Sequence, residues 1–225
     1  MSPRLLRPTV AAVLLLALAA CRTPVAPPPP PAEPPNLSVL KEELRAYAAD
    51  GRYAAGVARV ADEARAWIET RARAGGGRLA IVLDIDETVL SNLDHMREWD
   101  FGYHPPTWDR WVAAADAPPI EPMREVYRAA RAAGVAVFFL TGRKTTDGPG
   151  TVENLRLAGM DDYAGLHLKP NAYPGTTQAF KTETRRALAA DGWTIIANIG
   201  DQHSDLDGGH AERTFKLPNP FYVTK

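Results

Sequence analysis

The sequence predicts one α/β domain built on a parallel sheet with helices on both faces. Three short apolar segments, at residues 81–83, 135–140 and 193–199, have the length and the Ile, Val and Leu content of buried strands. Segments with helical spacing separate them, and this alternation is typical of parallel strands joined by helical crossovers. Polar or acidic residues follow each strand, at the edge where open α/β sheets bind ligands. These observations indicate a Rossmann-like sheet with a functional site at one edge.

The composition agrees with a single folded domain. The 225 residues are 45% hydrophobic and 24% charged, which is enough for one core. The formal net charge is −1 at pH 7, without the basic excess that a nucleic-acid surface normally shows. We therefore expect no nucleic-acid polymer among the partners of this protein.

Residues 1–20 have the pattern of an export signal. Arg4 and Arg7 form a basic n-region. Residues 9–20 form an apolar run that is too short to span a bilayer as a helix. We therefore expect this signal peptide to be removed from the mature protein.

The single cysteine, Cys21, stands where a bacterial lipoprotein signal needs one. Residues 18–21 read Leu-Ala-Ala-Cys and resemble the lipobox, in which the cysteine is acylated. Several acyl chains on one residue would anchor the protein stably, because each buried CH₂ contributes about 0.8 kcal/mol. The alternative is cleavage at the Ala-Leu-Ala site of residues 17–19, which would release a soluble periplasmic or secreted protein. We expect an exported, membrane-anchored lipoprotein of a bacterial cell envelope, with proline-rich residues 21–36 as an extended tether.

A pair of helices is predicted before the first strand, at residues 37–50 and 53–74. In the second helix, apolar residues such as Val57, Val60 and Ala64 repeat at helical spacing. This stripe indicates packing against the core.

The first strand ends in two carboxylates two residues apart, Asp84 and Asp86, followed by Thr88. Two acids at a sheet edge repel each other unless a cation binds between them. A hard divalent cation with oxygen ligands satisfies this need, and we expect Mg²⁺.

Residues 91–119 are expected to form a small cap-like insertion after the first strand. The segment is dense in aromatic side chains, and its two histidines lack the spacing of a zinc site. The aromatic residues are Trp99, Phe101, Tyr103, Trp108 and Trp111. We expect most of them to form a mini-core of the insertion, and one or two could stack on an aromatic or nucleotide substrate.

The second predicted strand ends in Thr141 and Gly142. A hydroxyl group and a small residue at this position could bind a phosphoryl group, although Thr-Gly is also common in ordinary turns. A helix is predicted before this strand, at residues 120–133, and further elements are predicted after it. These are a helix at 151–158, a strand at 166–168, a helix at 176–190 and a final strand at 213–217.

The third predicted strand ends in a second acidic pair, Asp201 and Asp205. Parallel strands bring their carboxyl ends to one edge, so this pair should lie near Asp84 and Asp86. Carboxylates from two strand ends, with phosphate and water oxygens, suit an octahedral Mg²⁺ site.

These motifs, in this order, resemble the four motifs of the haloacid dehalogenase-like (HAD) phosphohydrolases. The matching sequences are DIDET at 84–88, LTGR at 140–143, Lys181, and GDQHSD at 200–205. Within that superfamily the chain resembles the class B acid phosphatase branch, which holds plant acid phosphatases, vegetative storage proteins and bacterial lipoprotein acid phosphatases. NIGDQ at 198–202 and RTFKLP at 213–218 are similar to the plant members, whereas the lipobox and tether are similar to the bacterial ones. The resemblance covers residues 37–225, which are expected to form the phosphatase domain.

The resemblance implies a Mg²⁺-dependent acid phosphatase that hydrolyses phosphomonoesters through an aspartyl-phosphate. Asp84 would be the nucleophile, and Asp86 would be the general acid and then the general base. Asp84, Asp201 and the main-chain carbonyl of Asp86 would hold the metal.

The resemblance also implies the groups that bind phosphate. Thr141, Gly142 and Lys181 would contact the transferred phosphoryl group, and Asp205 would position Lys181 or a metal-bound water. Lys169 is an alternative for the lysine, because it too follows a predicted strand.

Two other functional classes compete with a phosphatase of the 5′-nucleotidase or general phosphomonoesterase type. A weakly active binding or storage protein of the same fold would be marked by loss of the nucleophile, whereas Asp84 is present. A D-x-D nucleotide-sugar transferase should have a nucleotide-binding domain before its acidic pair, whereas only two predicted helices precede Asp84. Nucleoside monophosphates, small phosphomonoesters and aromatic phosphates are all compatible substrates.

Overall fold

A computed structural model describes residues 33–224 of the protein. Five strands form one sheet: β1 (Arg78–Leu83), β2 (Ala136–Lys144), β3 (Gly165–Lys169), β4 (Trp193–Gly200) and β5 (Thr214–Lys216). Their spatial order is β3-β2-β1-β4-β5, and each neighbouring pair runs parallel. The predicted α/β class with a parallel sheet is therefore confirmed.

Helices cover both faces of this sheet. The α-helices are α1 (Leu37–Ala49), α2 (Arg52–Arg73), α3 (Leu93–Glu98), α4 (Pro105–Ala114), α5 (Glu121–Ala132), α6 (Gly148–Leu157), α7 (Thr177–Ala190) and α8 (His203–Leu206). Side chains alternate along β1, so Ile81 packs in a cluster with Ile68 of α2, whereas Val82 packs with Phe180 of α7. From Ala80 to Leu83 the strand is buried on both faces, and these four residues are all apolar, as expected for a central parallel strand.

The second strand is longer than the sequence indicates. Strand β2 continues to Lys144, so that Thr141 and Gly142 lie inside the strand rather than beyond its end. The extension arises because β3 keeps pairing with it: Thr141 pairs with Leu168, and Lys144 pairs with Lys169 after a break in register. The irregular ladder leaves the main chain around Gly142 beside the candidate site.

The predicted insertion at residues 91–119 contains α3 and α4. Helix α4 lies against α6, where the two main chains approach closely at Gly150. A Cβ atom at Gly150 would lie 2.2 Å from the carbonyl oxygen of Val112. Glycine is therefore required for this helix contact.

The predicted signal peptide, the lipidation site Cys21 and most of the tether lie outside residues 33–224. Within that range, no helix has both the length and the apolar character needed to cross a bilayer.

Candidate active site

Strands β1 and β4 lie side by side and deliver two buried acids to the same sheet edge. The amide of Asp84 donates to the carbonyl of Ile199 at 2.9 Å, which continues the strand pairing up to the acid. Asp201 follows the end of β4, and Asp205 lies on α8 just beyond it. Asp84, Asp201 and Asp205 each offer a carboxylate oxygen, and these atoms lie within 4.8 Å of one another. We call these three residues the carboxylate cluster.

Lys181 of α7 supplies a cation to the carboxylate cluster. Its Nζ donates to Asp84 and, at 2.7 Å, to Asp205 Oδ1, and all three side chains are buried. Burial alone would lower the pKa of Lys181, but the Asp84 and Asp205 carboxylates raise it above the ordinary value. Lys169, the alternative for this role, instead donates from Nζ to Thr177 Oγ1 at 3.1 Å.

Three buried carboxylates face one ammonium group, so the cluster carries excess negative charge. Burial, with the neighbouring acids, raises the pKa of Asp84 well above its usual range, although the Lys181 charge opposes this. Burial also raises the pKa of Asp201, and the Asp205 charge adds to it. Oxygen ligands, burial and unbalanced negative charge fit a divalent cation.

The side chain of Asp86 points to a different partner. Arg143 Nη2 donates to Asp86 Oδ1 at 2.7 Å, and the Arg143 guanidinium is buried. Asn92 Nδ2 donates to the same oxygen at 2.9 Å, and Trp111 Nε1 in turn donates to Asn92 Oδ1 at 2.8 Å. The Asp86 carboxylate is therefore held beside the cluster by the strand β2 arginine and by the insertion.

Glu87 is a buried acid whose conformation is unusual for its residue type. Its φ is 52°, a left-handed backbone conformation that non-glycine residues seldom adopt. Its carboxylate accepts hydrogen bonds from the amide of Asn92 at 2.6 Å and from the Tyr222 hydroxyl at 2.8 Å. Burial and the nearby Asp86 raise the pKa of Glu87 to about 8.

Thr141 and Gly142 lie on β2, directly before the site residue Arg143. Thr141 is fully buried, and its Oγ1 accepts a hydrogen bond from the amide of Arg143 at 3.1 Å. Gly142 lines the cavity, and a Cβ atom there would lie 3.1 Å from Thr177 Cγ2. Of the predicted phosphate-binding pair, Gly142 therefore borders the cavity with its main chain, whereas the buried Thr141 does not line it.

A cavity of about 1050 Å³ opens above these groups. Its inner wall is charged and comes from the strand ends and α7: Asp84, Asp86, Arg143, Lys181, Asp201 and Asp205. Its outer wall comes largely from the insertion: His95, Met96, Phe101, Tyr103, Trp108 and Val112. His95 also stacks on Trp111 with ring centroids 5.6 Å apart, so the insertion's aromatic residues both pack on one another and line the cavity.

Several residues of the site were not predicted from the sequence. Arg143 belongs to a recognised motif, but nothing in the motif indicates that it pairs with Asp86. Asn92, Asn219 and Tyr222 lie in loops without a motif. Asn219 Nδ2 donates to Asp201 Oδ2 at 2.6 Å, a contact between segments that no periodicity connects.

The chain is similar to known proteins over most of its length. A family profile described as HAD superfamily, subfamily IIIB (Acid phosphatase) matches residues 33–225. Acid phosphatase 1 of Solanum lycopersicum is 37% identical over 169 residues, which are 73% of this chain and 66% of that protein. The Stem 28 kDa glycoprotein of Glycine max is 38% identical over 148 residues, which are 63% of this chain and 58% of that protein. The matched part of the chain thus spans about two thirds of these relatives or less.

A solved structure shares the fold. The class C acid phosphatase from Bacillus anthracis superposes with a TM-score of 0.70 at 24% identity, covering 83% of this chain and 86% of that one.

Proposed function

Because the chain belongs to the subfamily IIIB acid phosphatases of the HAD superfamily, we propose that it hydrolyses phosphomonoesters through a phosphorylated Asp84. The main support for this proposal is the carboxylate cluster. Three buried acids and one buried lysine converge at the end of a large cavity, where they would be costly without a ligand. An alternative, a weakly active storage-type relative, has no need for this arrangement.

We propose that Mg²⁺ occupies the cluster. Asp84 and Asp201 would each contribute a carboxylate oxygen, the Asp86 main-chain carbonyl would be a further ligand, and Asp205 lies close enough to contribute through water. The ion would offset the repulsion between the Asp84 carboxylate and a phosphate dianion.

Asp84 would attack phosphorus as the ester oxygen departs. A bond forms between the Asp84 carboxylate and phosphorus, and the bond from phosphorus to the ester oxygen breaks. Lys181 would share its charge between Asp84 and the phosphoryl oxygens. Thr141, with the main chain at Gly142, would bind the remaining phosphoryl oxygens.

Asp86 would act as the general acid in the first step and as the general base in the second. It would protonate the leaving oxygen, then take a proton from the water that attacks the phosphorylated Asp84 and releases phosphate. The ion pair with Arg143 must loosen for this transfer, and an incoming phosphate dianion competes for the guanidinium.

The outer wall favours substrates that carry a ring. Aromatic side chains such as Tyr103 and Trp108 border the cavity above the charged groups. We propose nucleoside 5′-monophosphates or aromatic phosphates as the substrate class.

Phosphate release by the full chain tests the proposed function. We would compare p-nitrophenyl phosphate with a nucleoside monophosphate from mildly acidic to neutral pH, in Mg²⁺ and in EDTA. Asp84→Asn should lower the rate about a thousandfold or more, because the nucleophile is lost. Asp62→Asn, an exposed site on α2, is the matched control and should keep the wild-type rate. Release that survives Asp84→Asn, or is absent in the wild type, would overturn the mechanism and favour the storage-type alternative.

We also propose that the chain is exported and anchored through an acylated Cys21. The support is the lipobox-like sequence and the apolar run before it. In a bacterial host, Cys21→Ser should move the protein from the membrane fraction to the soluble fraction and abolish incorporation of a labelled fatty acid. Wild-type protein in the soluble fraction, without the fatty-acid label, would favour the soluble periplasmic or secreted alternative.

A further inference from the structure

The C-terminal segment of the described chain returns to the candidate active site. We call residues 218–224 the tail. Phe221 anchors the tail: it is buried, and its ring meets Tyr53 edge-on at 5.1 Å and stacks on Phe101 at 5.9 Å. This anchoring holds the neighbouring tail residues beside the ends of β1 and β4.

Asn219 uses both ends of its amide group. Its Oδ1 accepts hydrogen bonds from the amides of Phe221, at 2.9 Å, and Tyr222, at 3.4 Å. Its Nδ2 donates to Asp201 Oδ2 at 2.6 Å. Because the oxygen is committed to main-chain donors, the nitrogen must face Asp201.

The two oxygens of Asp201 have different surroundings. Oδ2 accepts from both Asn219 Nδ2 and, at 2.7 Å, Gln202 Nε2. Oδ1 accepts only the more distant Thr88 hydroxyl, at 3.2 Å, among the described residues. Two short donors on one oxygen fix the rotation of the carboxylate and leave the other oxygen with free lone pairs.

We infer that Asn219 is a positioning residue, which holds Asp201 so that its Oδ1 faces the metal. This inference rests on the proposed function, since it takes the carboxylate cluster as a Mg²⁺ site. Hydrogen bonds to the outer oxygen of a ligating carboxylate orient it, and losing one typically weakens metal binding. A truncated protein that lacks the tail should therefore bind Mg²⁺ more weakly.

A second tail contact provides an internal comparison. The Tyr222 hydroxyl donates to Glu87 Oε2 at 2.8 Å, and Glu87 is not one of the three cluster residues. Tyr222→Phe thus removes a hydrogen bond of the same tail without touching a cluster residue, whereas Asn219→Ser removes the donor to Asp201. Serine keeps a short oxygen that can accept from nearby main-chain amides, so the tail turn should persist.

Calorimetric titration of the full chain with Mg²⁺ alone, without substrate, tests the inference. Asn219→Ser should weaken Mg²⁺ binding about tenfold or more, and Tyr222→Phe should bind Mg²⁺ as the wild type does. Phosphate release by Asn219→Ser should approach the wild-type rate at saturating Mg²⁺, because the reacting groups are intact. Melting in EDTA shows whether each variant is folded. Gln202→Met removes the other donor to Asp201 Oδ2 and should also weaken Mg²⁺ binding. This variant replaces Asn219→Ser in the test if Asn219→Ser does not fold.

Three outcomes would overturn the inference. The first is wild-type Mg²⁺ affinity in folded Asn219→Ser, or in Gln202→Met if Asn219→Ser does not fold. The second is an equal loss of Mg²⁺ affinity in Tyr222→Phe, and the third is the absence of Mg²⁺ binding by the wild type. The Asp84→Asn phosphate-release assay judges the phosphatase proposal separately, so failure of one does not imply failure of the other.

Discussion

The inner and outer walls of the cavity differ in the chemistry of their side chains and in how deeply these are buried. The inner wall consists of charged side chains at strand ends and on α7, and most of them are buried in ion pairs. The aromatic side chains of the outer wall lie on α4 and on the loop before it, and they are more exposed, with Tyr103 at 73%. Removing one partner of a buried ion pair costs about 3–5 kcal/mol, whereas losing one aromatic contact costs about 0.5–1.5 kcal/mol. The inner wall should therefore be sensitive to single substitutions and the outer wall should not.

The largest expected effect is loss of the inner-wall cation. Lys181→Met should lower the free energy of unfolding by about 3–5 kcal/mol, because it leaves buried carboxylates without their partner. Urea unfolding in EDTA measures this. Lys169→Met, which removes only a hydrogen bond to Thr177, is the matched control and should cost much less. Equal losses would contradict the contrast between the two lysines.

The attachment of the outer wall should be the next most sensitive feature. Gly150→Ala places a Cβ atom 2.2 Å from the Val112 carbonyl oxygen and should cost about 1–3 kcal/mol by forcing α4 from α6. Gly148→Ala on the same helix places its Cβ atom 3.5 Å from Leu168 Cδ1, an ordinary contact, and should not destabilise. Thermal unfolding compares the two. A Gly150→Ala protein as stable as Gly148→Ala would show that α4 is loosely held.

A smaller effect is expected from removing one ring of the outer wall. Trp108→Ala should raise the KM for an aryl phosphate roughly 2- to 10-fold, since a stacking contact contributes about 0.5–1.5 kcal/mol. The KM for a small alkyl phosphate should change less. Trp99→Ala is the matched control, because Trp99 stacks on His104 and does not line the cavity. An equal rise for both substrates would remove the argument for ring recognition.

The smallest expected effect lies outside both walls. Burial lowers the pKa of His167 on β3 below its ordinary value, and its Nε2 has no hydrogen-bond partner in the described structure. The unfolded chain therefore binds this proton more readily, so stability is complete above the unfolded pKa, near 6.5, and falls as the pH drops below it. His167→Gln should lose less stability than the wild type between pH 7 and pH 5. An identical pH profile in urea unfolding would show that His167 does not contribute.

The sequence predicted where the acids lie in the sheet, but it did not predict which partners their side chains contact. Asp84 and Asp201 were predicted at one edge because apolar runs identify parallel strands, whose carboxyl ends meet. The pairing of Asp86 with Arg143 joins residues 57 positions apart. Tyr222 reaches Glu87 across 135 positions. Such contacts depend on how separate elements pack, which local patterns do not encode.

The amino-acid sequence by itself determined the α/β class, the parallel sheet and the strand ends that carry the acids, because hydrophobic periodicity and turn residues act locally. Tertiary structure decided the rest. It placed Lys181 rather than Lys169 against Asp84, paired Asp86 with Arg143 and set Asn219 against Asp201. The physical reason is that buried charges are settled by whichever partners the packed helices and the tail bring within hydrogen-bond distance.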